Sequence, residues 1–187
     1  MMSDALNAGV QPGGLRTRLE IRVLLCYILK MIKEPAPLEP IKEMLHFEGI
    51  ANYFETAFAI AELEDNGIII STDDDVANKL YCLSESKYDA LDFLFPDLPF
   101  SVRENALNIA KNILKRRKNE RENNVLIEQT NDGVYVECSC MEKERKIVSV
   151  RLLVPDLDTA NLIKERFLEE PIKLLISATS ALTGNDL

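Results

Sequence analysis

Positive charge is missing from a long stretch in the first half of the sequence. No lysine or arginine stands between Lys42 and Lys79, although nine acidic residues fall in that window. Residues 1–99 contain 8 Lys and Arg against 17 Asp and Glu, whereas residues 100–187 contain 14 of each, so the first half accounts for the whole net charge of −9. Because proteins attract duplex phosphates through lysine and arginine, this half lacks the usual electrostatic footprint of a DNA-binding protein.

Long apolar runs and cysteines are also scarce. The longest apolar run, Val23–Leu29, is far too short to cross a bilayer. The first residues carry Asp4 and no basic residue before a hydrophobic stretch, so they do not resemble a secretory signal, and we expect a cytoplasmic protein without a membrane partner. The cysteines are too few, and too apolar in context, for a disulfide framework. They are Cys26, Cys82, Cys138 and Cys140.

Residue patterns that carry chemistry are missing as well. The single histidine, His46, has no cysteine or carboxylate pair near it at a catalytic or metal-binding spacing. The seven glycines form no GxGxxG, Walker A or GxSxG pattern. Cys138 and Cys140 share one side of a predicted strand with two valines, so we expect them to pack as core residues and not to bind zinc. We therefore predict no enzymatic activity, no cofactor and no metal.

The first half has the periodicity of a helical domain with one hairpin. We predict a flexible tail over 1–14 and a domain over 15–98. The predicted elements are a largely apolar central helix over 15–34, a short helix over 40–47, a third helix over 52–66, strands over 68–71 and 79–83 around the acidic loop Asp73–Asp75, and a helix from Ser84 to Phe95. Gly67 ends the third helix.

The third helix is predicted to bury one side and to expose an acidic one. At 100° per residue, the predicted buried residues are Ile50, Tyr53, Phe54, Ala57, Ile60, Ala61 and Glu64. The predicted exposed interaction face is Asn52, Glu55, Thr56, Ala59 and Glu62. A carboxylate about 4 Å from a phosphate is repelled by on the order of 1 kcal/mol in water. Three readings stay open for this face: an ordinary domain surface, a protein-binding surface, and a helix that reads a DNA groove.

Two segments resemble a known family of folds. Leu63–Ile70 (LEDNGIII) and Lys79–Ser84 (KLYCLS), together with Asn-Tyr-Phe at 52–54, resemble the helix-to-wing junction and second wing strand of winged helix-turn-helix domains. With its C-terminal half, the chain resembles one bacterial winged-helix family of unknown function. Most winged-helix relatives are transcriptional regulators, so the resemblance implies a homodimeric regulator that binds DNA.

The second half predicts a connecting helix over 99–123 and a small α+β domain over 124–187. Strands are expected over 125–129, 134–141 and 147–154, with an Asp-Gly turn between the first two. A helix from Asp158 should cover the apolar face of this sheet, and Pro171 must kink or split it. The fold class is therefore α+β: a winged helix, a connecting helix, and a three-stranded antiparallel meander covered by a helix.

Two functional hypotheses follow. The first is a regulator that contacts DNA phosphates through a cationic surface made of Arg16, Arg18, Arg22, Lys115, Arg116, Arg117, Lys118 and Arg121. The second is a winged-helix protein-interaction or dimerisation module that does not bind DNA and uses the exposed face of the third helix. In the second hypothesis, the basic run at 115–121 is a solvated helix end or a partner for the acidic first half.

Overall fold

The structure is a computed structural model, which describes residues 7–73, 79–87 and 91–184. It is α+β: three helices and a hairpin come first, and a long helix then leads to a three-stranded antiparallel sheet followed by two helices. The chain divides into two compact units, Met1–Ile113 and Leu114–Leu187. The division falls inside the long helix, and each unit is described by itself below. Within the described ranges, no helix combines the length and apolarity needed to cross a membrane.

The first helix, α1 (Arg18–Ile32), is the centre of the first unit. Thr17 and Glu20 form the capping box at its start: the Thr17 hydroxyl accepts from the Glu20 amide, and the Glu20 carboxylate accepts from the Thr17 amide. Ile21 and every residue from Val23 to Leu29 are buried. Burial on most sides of this helix confirms the prediction of an apolar central helix.

Two helices and a hairpin pack around α1. The second helix, α2 (Leu38–Phe47), buries Ile41 and Leu45, and the third helix is α3 (Tyr53–Asp65). The hairpin pairs β1 (Ile69–Asp73) with β2 (Lys79–Leu83), and its predicted acidic tip at Asp74 and Asp75 lies outside the described residues. Ala36 and Tyr81 exchange two backbone hydrogen bonds of 2.9 Å, so the link between α1 and α2 adds a short bridge to β2.

The helix predicted from Ser84 to Phe95 is wrong. The described residues form two short 3₁₀ turns, Glu85–Lys87 and Asp92–Asp97, and residues 88–90 lie outside the described part. Pro96 within the second turn has no backbone donor, which disfavours a regular α-helix there. The turn is fixed instead by tertiary contacts, since Phe95 packs edge-on against Tyr27 and Asp92 pairs with Lys30.

The long helix α4 (Phe100–Glu122) is followed by the sheet of the second unit. Its strands are β3 (Asn123–Thr130), β4 (Gly133–Glu142) and β5 (Arg145–Val154), in the order β3-β4-β5. Gly133 has a φ of 136° and closes the turn between β3 and β4. The predicted meander is thus confirmed.

Two helices cover one face of this sheet. They are α5 (Leu157–Glu169), capped by the Asp156 side chain, and α6 (Ile172–Thr183). Pro171 separates them, so the predicted single covering helix is split at the residue expected to split it. The core under α5 contains Val136, Cys138 and Cys140, which confirms that both cysteines face the core.

The segment before α1 is attached to the turn between α2 and α3. The Gln11 amide donates to the Gly49 carbonyl at 2.9 Å, and the Leu15 amide donates to the Ile50 carbonyl at 2.8 Å. Gly14 lies so close to this turn that an added Cβ would stand 2.7 Å from the Gly49 oxygen. Residues 7–14 of the predicted flexible tail therefore make a defined contact, while residues 1–6 lie outside the described part.

Candidate interaction face on the third helix

The start of α3 is fixed by the buried side chain of Asn52. Its Oδ1 accepts from the amides of Phe54 at 2.9 Å and Glu55 at 3.2 Å, which satisfies two donors that the helix itself leaves free. Its Nδ2 donates to the Ala8 carbonyl at 2.7 Å. One side chain therefore caps the helix and ties the preceding segment to it.

The side of α3 predicted to be exposed is buried. Relative exposure is 4% for Asn52, 2% for Glu55 and 0% for both Thr56 and Ala59, so the prediction of an exposed face is wrong for these four residues. Only Glu62 keeps partial exposure. The Thr56 hydroxyl is satisfied by the Asn52 carbonyl at 2.8 Å, and Glu55 is satisfied by a cation on α1. Polar residues can occupy the inner side because each has a partner there.

Two ion pairs join α3 to α1. Arg18 Nε lies 2.5 Å from Glu55 Oε2, and Arg22 Nη1 lies 3.2 Å from Glu62 Oε2. A second Arg18 nitrogen lies 3.9 Å from Glu62. The hydrogen bond and charge of Glu55 raise the pKa of the Arg18 guanidinium. Two of the acids of the third helix, Glu55 and Glu62, are thus paired with arginines of α1.

The exposed side of α3 is aromatic. Phe54 and Phe58 are 62% and 54% exposed, and the exposed Ala61 follows one turn later; we name these three residues the aromatic stripe. Their i, i+4, i+7 spacing places them on one face of the helix. The Arg18 guanidinium lies 5.4 Å from the centre of the Phe58 ring, within cation–π range. Two of these residues, Phe54 and Ala61, were predicted to be buried, and that prediction is wrong.

The end of α3 is attached to the hairpin by a third acid. Glu64 accepts from Lys79 Nζ at 2.5 Å and from the Ser71 hydroxyl at 2.6 Å. These two bonds lower the pKa of the Glu64 carboxyl. The hydrogen bond to Glu64 also raises the pKa of Lys79. Lys79, which begins the second strand of the hairpin, is therefore already engaged by α3.

The candidate phosphate contacts are mostly paired with carboxylates. Arg16, just before α1, is exposed, whereas Arg18 and Arg22 of α1 are paired with glutamates of α3. On α4, Arg117 is half-buried and Arg121 is exposed. The other three pair with carboxylates: Lys115 with Glu170 at 3.8 Å, Arg116 with Glu120 and Glu165 at 2.8 Å each, and Lys118 with Glu122 at 3.9 Å. The α1 and α4 groups belong to different units.

No group of three or more histidine, cysteine, aspartate or glutamate side chains suited to a metal ion occurs within residues 7–73, 79–87 and 91–184. His46 packs edge-on against Tyr53, with 6.1 Å between ring centres, and an added Cβ on Gly9 would stand 2.7 Å from its ring. The histidine therefore packs between the N-terminal segment and α3.

A protein-family model described as a domain of unknown function (DUF4364) matches residues 21–180. The chain belongs to this family. No curated protein and no solved structure matches the chain. In this DUF4364 chain the match begins inside α1 and ends inside α6. The aromatic stripe and the Arg22–Glu62 ion pair lie within the family region, whereas Arg18 and the segment that Asn52 binds lie before it.

Proposed function

We propose that this protein is a non-catalytic winged-helix interaction module whose third helix binds a partner protein and does not read DNA. The observation that carries the proposal is the aromatic stripe, which presents Phe54 and Phe58 to solvent while the neighbouring acids turn toward α1. Aromatic side chains are enriched at protein interfaces and dominate their binding energy.

The order of elements supports the winged-helix assignment. Three helices precede a two-stranded hairpin, and the bridge from Ala36 to Tyr81 adds the segment between α1 and α2 to that hairpin. In this arrangement α3 is the helix that regulators of this fold place in the major groove. Here its exposed side offers phenyl rings and a methyl group where a groove reader presents Arg, Asn or Gln.

The expected partner carries an apolar site bordered by lysine and arginine. Residues 1–113 contain 10 Lys and Arg against 18 Asp and Glu, so this unit attracts cationic surfaces. Asp65 is exposed one turn after Ala61, and Glu43 and Glu48 are exposed on and after α2. The apolar stripe would supply the buried centre of such an interface, and the acidic excess of the unit would favour a partner with a basic surface.

The regulator implied by the resemblance is the competing function. It needs Arg18 and Arg22 to face phosphates, yet these two arginines hold Glu55 and Glu62. Moving Arg18 to a phosphate would break its 2.5 Å hydrogen bond to the buried Glu55 carboxylate, which is costly. The ion pairs therefore favour protein binding over DNA binding at this helix.

DNA binding is tested by fluorescence anisotropy with the duplex upstream of the gene and with a scrambled duplex, at low and near-physiological salt. We expect at most weak binding that disappears as salt rises. Tight binding of the upstream duplex alone, retained at physiological salt, would establish the regulator and overturn the proposal.

Protein binding is tested by affinity capture with the wild type and two variants, followed by titration of the captured partner after purification. The double variant Phe54→Ala, Phe58→Ala should raise Kd about tenfold or more. Phe93→Ala is the matched control, since Phe93 is 73% exposed in the same unit but lies outside α3. Equal Kd values for the double variant and the wild type would show that the aromatic stripe is not part of the interface.

A further inference from the structure

The last helix is apolar but has no buried residue. Its sequence, IKLLISATSALT, contains one charged residue, Lys173. Ile172 and Ile176 are exposed, and Leu182 is the most exposed large apolar residue in the described part of the chain. A helix this apolar is normally packed on most of its surface.

The neighbouring strand β5 is the apolar edge of its sheet. Among the residues that the structure describes, it pairs with β4 alone, so a row of backbone donors and acceptors lies along its other side. Its sequence is RKIVSVRLLV, and Ile147, Leu152 and Leu153 are exposed. The opposite edge, β3, exposes one large apolar residue, Leu126, against the three of β5, so β5 is the edge on which apolar burial can better support strand pairing.

An open apolar groove of about 410 Å³ runs beside β5. Its walls include Val150 and Leu152 of the strand and Leu162, Phe167 and Leu174 of the two helices. Its rim carries both signs of charge, from Arg166, Glu170 and Lys173. We name this feature the β5 groove. It is large enough to accept apolar side chains from another molecule.

We propose that a second copy of this chain docks on the β5 groove, with the β5 strands of the two copies side by side and antiparallel. A twofold axis brings the same patch of each copy together and makes their strands run in opposite directions, which is the arrangement of an antiparallel pair. Because the rim carries both cations and an anion, groups of opposite charge from the two copies can meet across this axis. The proposal is independent of the function assigned to α3.

The charge distribution favours this face over the aromatic stripe for self-association. Residues 114–187 contain 12 Lys and Arg against 13 Asp and Glu, so two copies of this unit meet with little net repulsion. Two copies of residues 1–113, each with an excess of eight acids, would repel each other. The nearly neutral unit therefore suits a second copy, and the acidic unit suits a different, basic partner.

Sedimentation equilibrium on the full chain across micromolar concentrations tests the proposal. The wild type should be dimeric, and Leu162→Glu should raise the dimer dissociation constant at least about tenfold, because symmetry places the new charge at the interface twice. Leu162 is 59% exposed, so the change should leave the monomer folded, as checked by circular dichroism. Leu19→Glu, at a residue 48% exposed on α1, is the matched control and should associate like the wild type.

Hydrogen exchange of the wild type at low and high protein concentration gives an independent readout. The amides of residues 145–154 should exchange more slowly at high concentration, because strand pairing protects the free edge of β5. A monomeric wild type throughout, a Leu162→Glu variant that dimerises normally, or a dimer that Phe58→Glu dissociates would each overturn the proposal.

Discussion

Arg18 donates from Nε to the buried carboxylate of Glu55 at 2.5 Å, on the side of α3 that faces inward. With Glu55 held against α1, the next turns bury Ala59 and Leu63 on the same side. Phe54 and Phe58 are left on the outside. The inner side of α3 therefore carries the ion pair, and the outer side carries the two phenyl rings.

Loss of Arg18 should destabilise the first unit more than loss of Arg16. Arg18→Gln removes the cation that donates to the buried Glu55 carboxylate, whereas Arg16→Gln changes an exposed residue and should stay within about 0.5 kcal/mol of the wild type. Urea unfolding of both variants measures the difference. In a Glu55→Gln background, Arg18→Gln should cost less than it does in the wild type. Equal costs in the two backgrounds would show that the two side chains are not energetically coupled.

Asn52→Ala should lower the free energy of unfolding by about 1–2 kcal/mol, since it removes a helix cap. The variant also leaves the Ala8 carbonyl without the donor it has in the wild type. Asn52→Asp retains the acceptor for the Phe54 and Glu55 amides but loses that donor, so an intermediate loss is expected. Asn108→Ala, at an exposed position within α4, is the control and should change stability by less than about 0.5 kcal/mol.

Acid should weaken the attachment of α3 to the hairpin. Because Lys79 and Ser71 lower the pKa of Glu64, the folded state binds this proton less readily than the unfolded state does. The stabilisation is therefore complete above the ordinary value of 4.5 and is lost as pH falls through the lowered pKa.

Melting temperatures from pH 7 down to pH 3 measure this effect. Glu64→Gln should show a shallower decline below pH 4.5 than the wild type, and Glu43→Gln, at an exposed residue of α2, should follow the wild type. If the melting temperature of Glu64→Gln fell with pH as steeply as that of the wild type, the acid sensitivity would come from other carboxylates.

Three of the four thiols should resist alkylation in the folded protein. Burial raises the pKa of Cys26 to about 12 and raises the pKa of Cys138 and Cys140. Because the thiolate is the reactive form, iodoacetamide at pH 8 should modify the half-buried Cys82 first. Mass spectrometry of digested protein follows each site, and a denatured sample, in which all four should react, is the control. Modification of Cys138 or Cys140 as fast as Cys82 would contradict their place in the core.

Features that depend on local chemistry were predictable from the sequence. The buried run of α1, the break at Pro171 and the strands around Asp132-Gly133 follow from apolar periodicity, a missing backbone donor and turn preference, respectively. The cysteines of β4 were also predictable, because two-residue alternation places them with the valines of the same strand.

The orientation of α3 was not predictable in the same way. Its sequence places apolar or small residues on both sides, so sorting by polarity assigned Glu55 to solvent and Phe54 to the core. The cation that pairs with the buried Glu55 is Arg18, which lies 37 residues earlier in the sequence, so the pattern of α3 alone could not reveal it. The spacing of Ala59, Ile60 and Leu63 was the local signal for the buried side, but Phe54 and Phe58 form an equally regular pattern.

The hydrogen bonds of Ala8, Gln11 and Leu15 to Asn52, Gly49 and Ile50 give the start of the described chain an architectural role. A protease that cut between these residues and α1 would separate the N-terminal segment from the rest of the chain, so that only these hydrogen bonds held it to the turn between α2 and α3. If the segment left, Asn52 would lose its hydrogen bond to Ala8. Asn52 is also the residue that caps the first turn of α3 by accepting from the Phe54 amide. Trimmed and intact forms of the protein would consequently differ in how firmly they display the same phenyl rings.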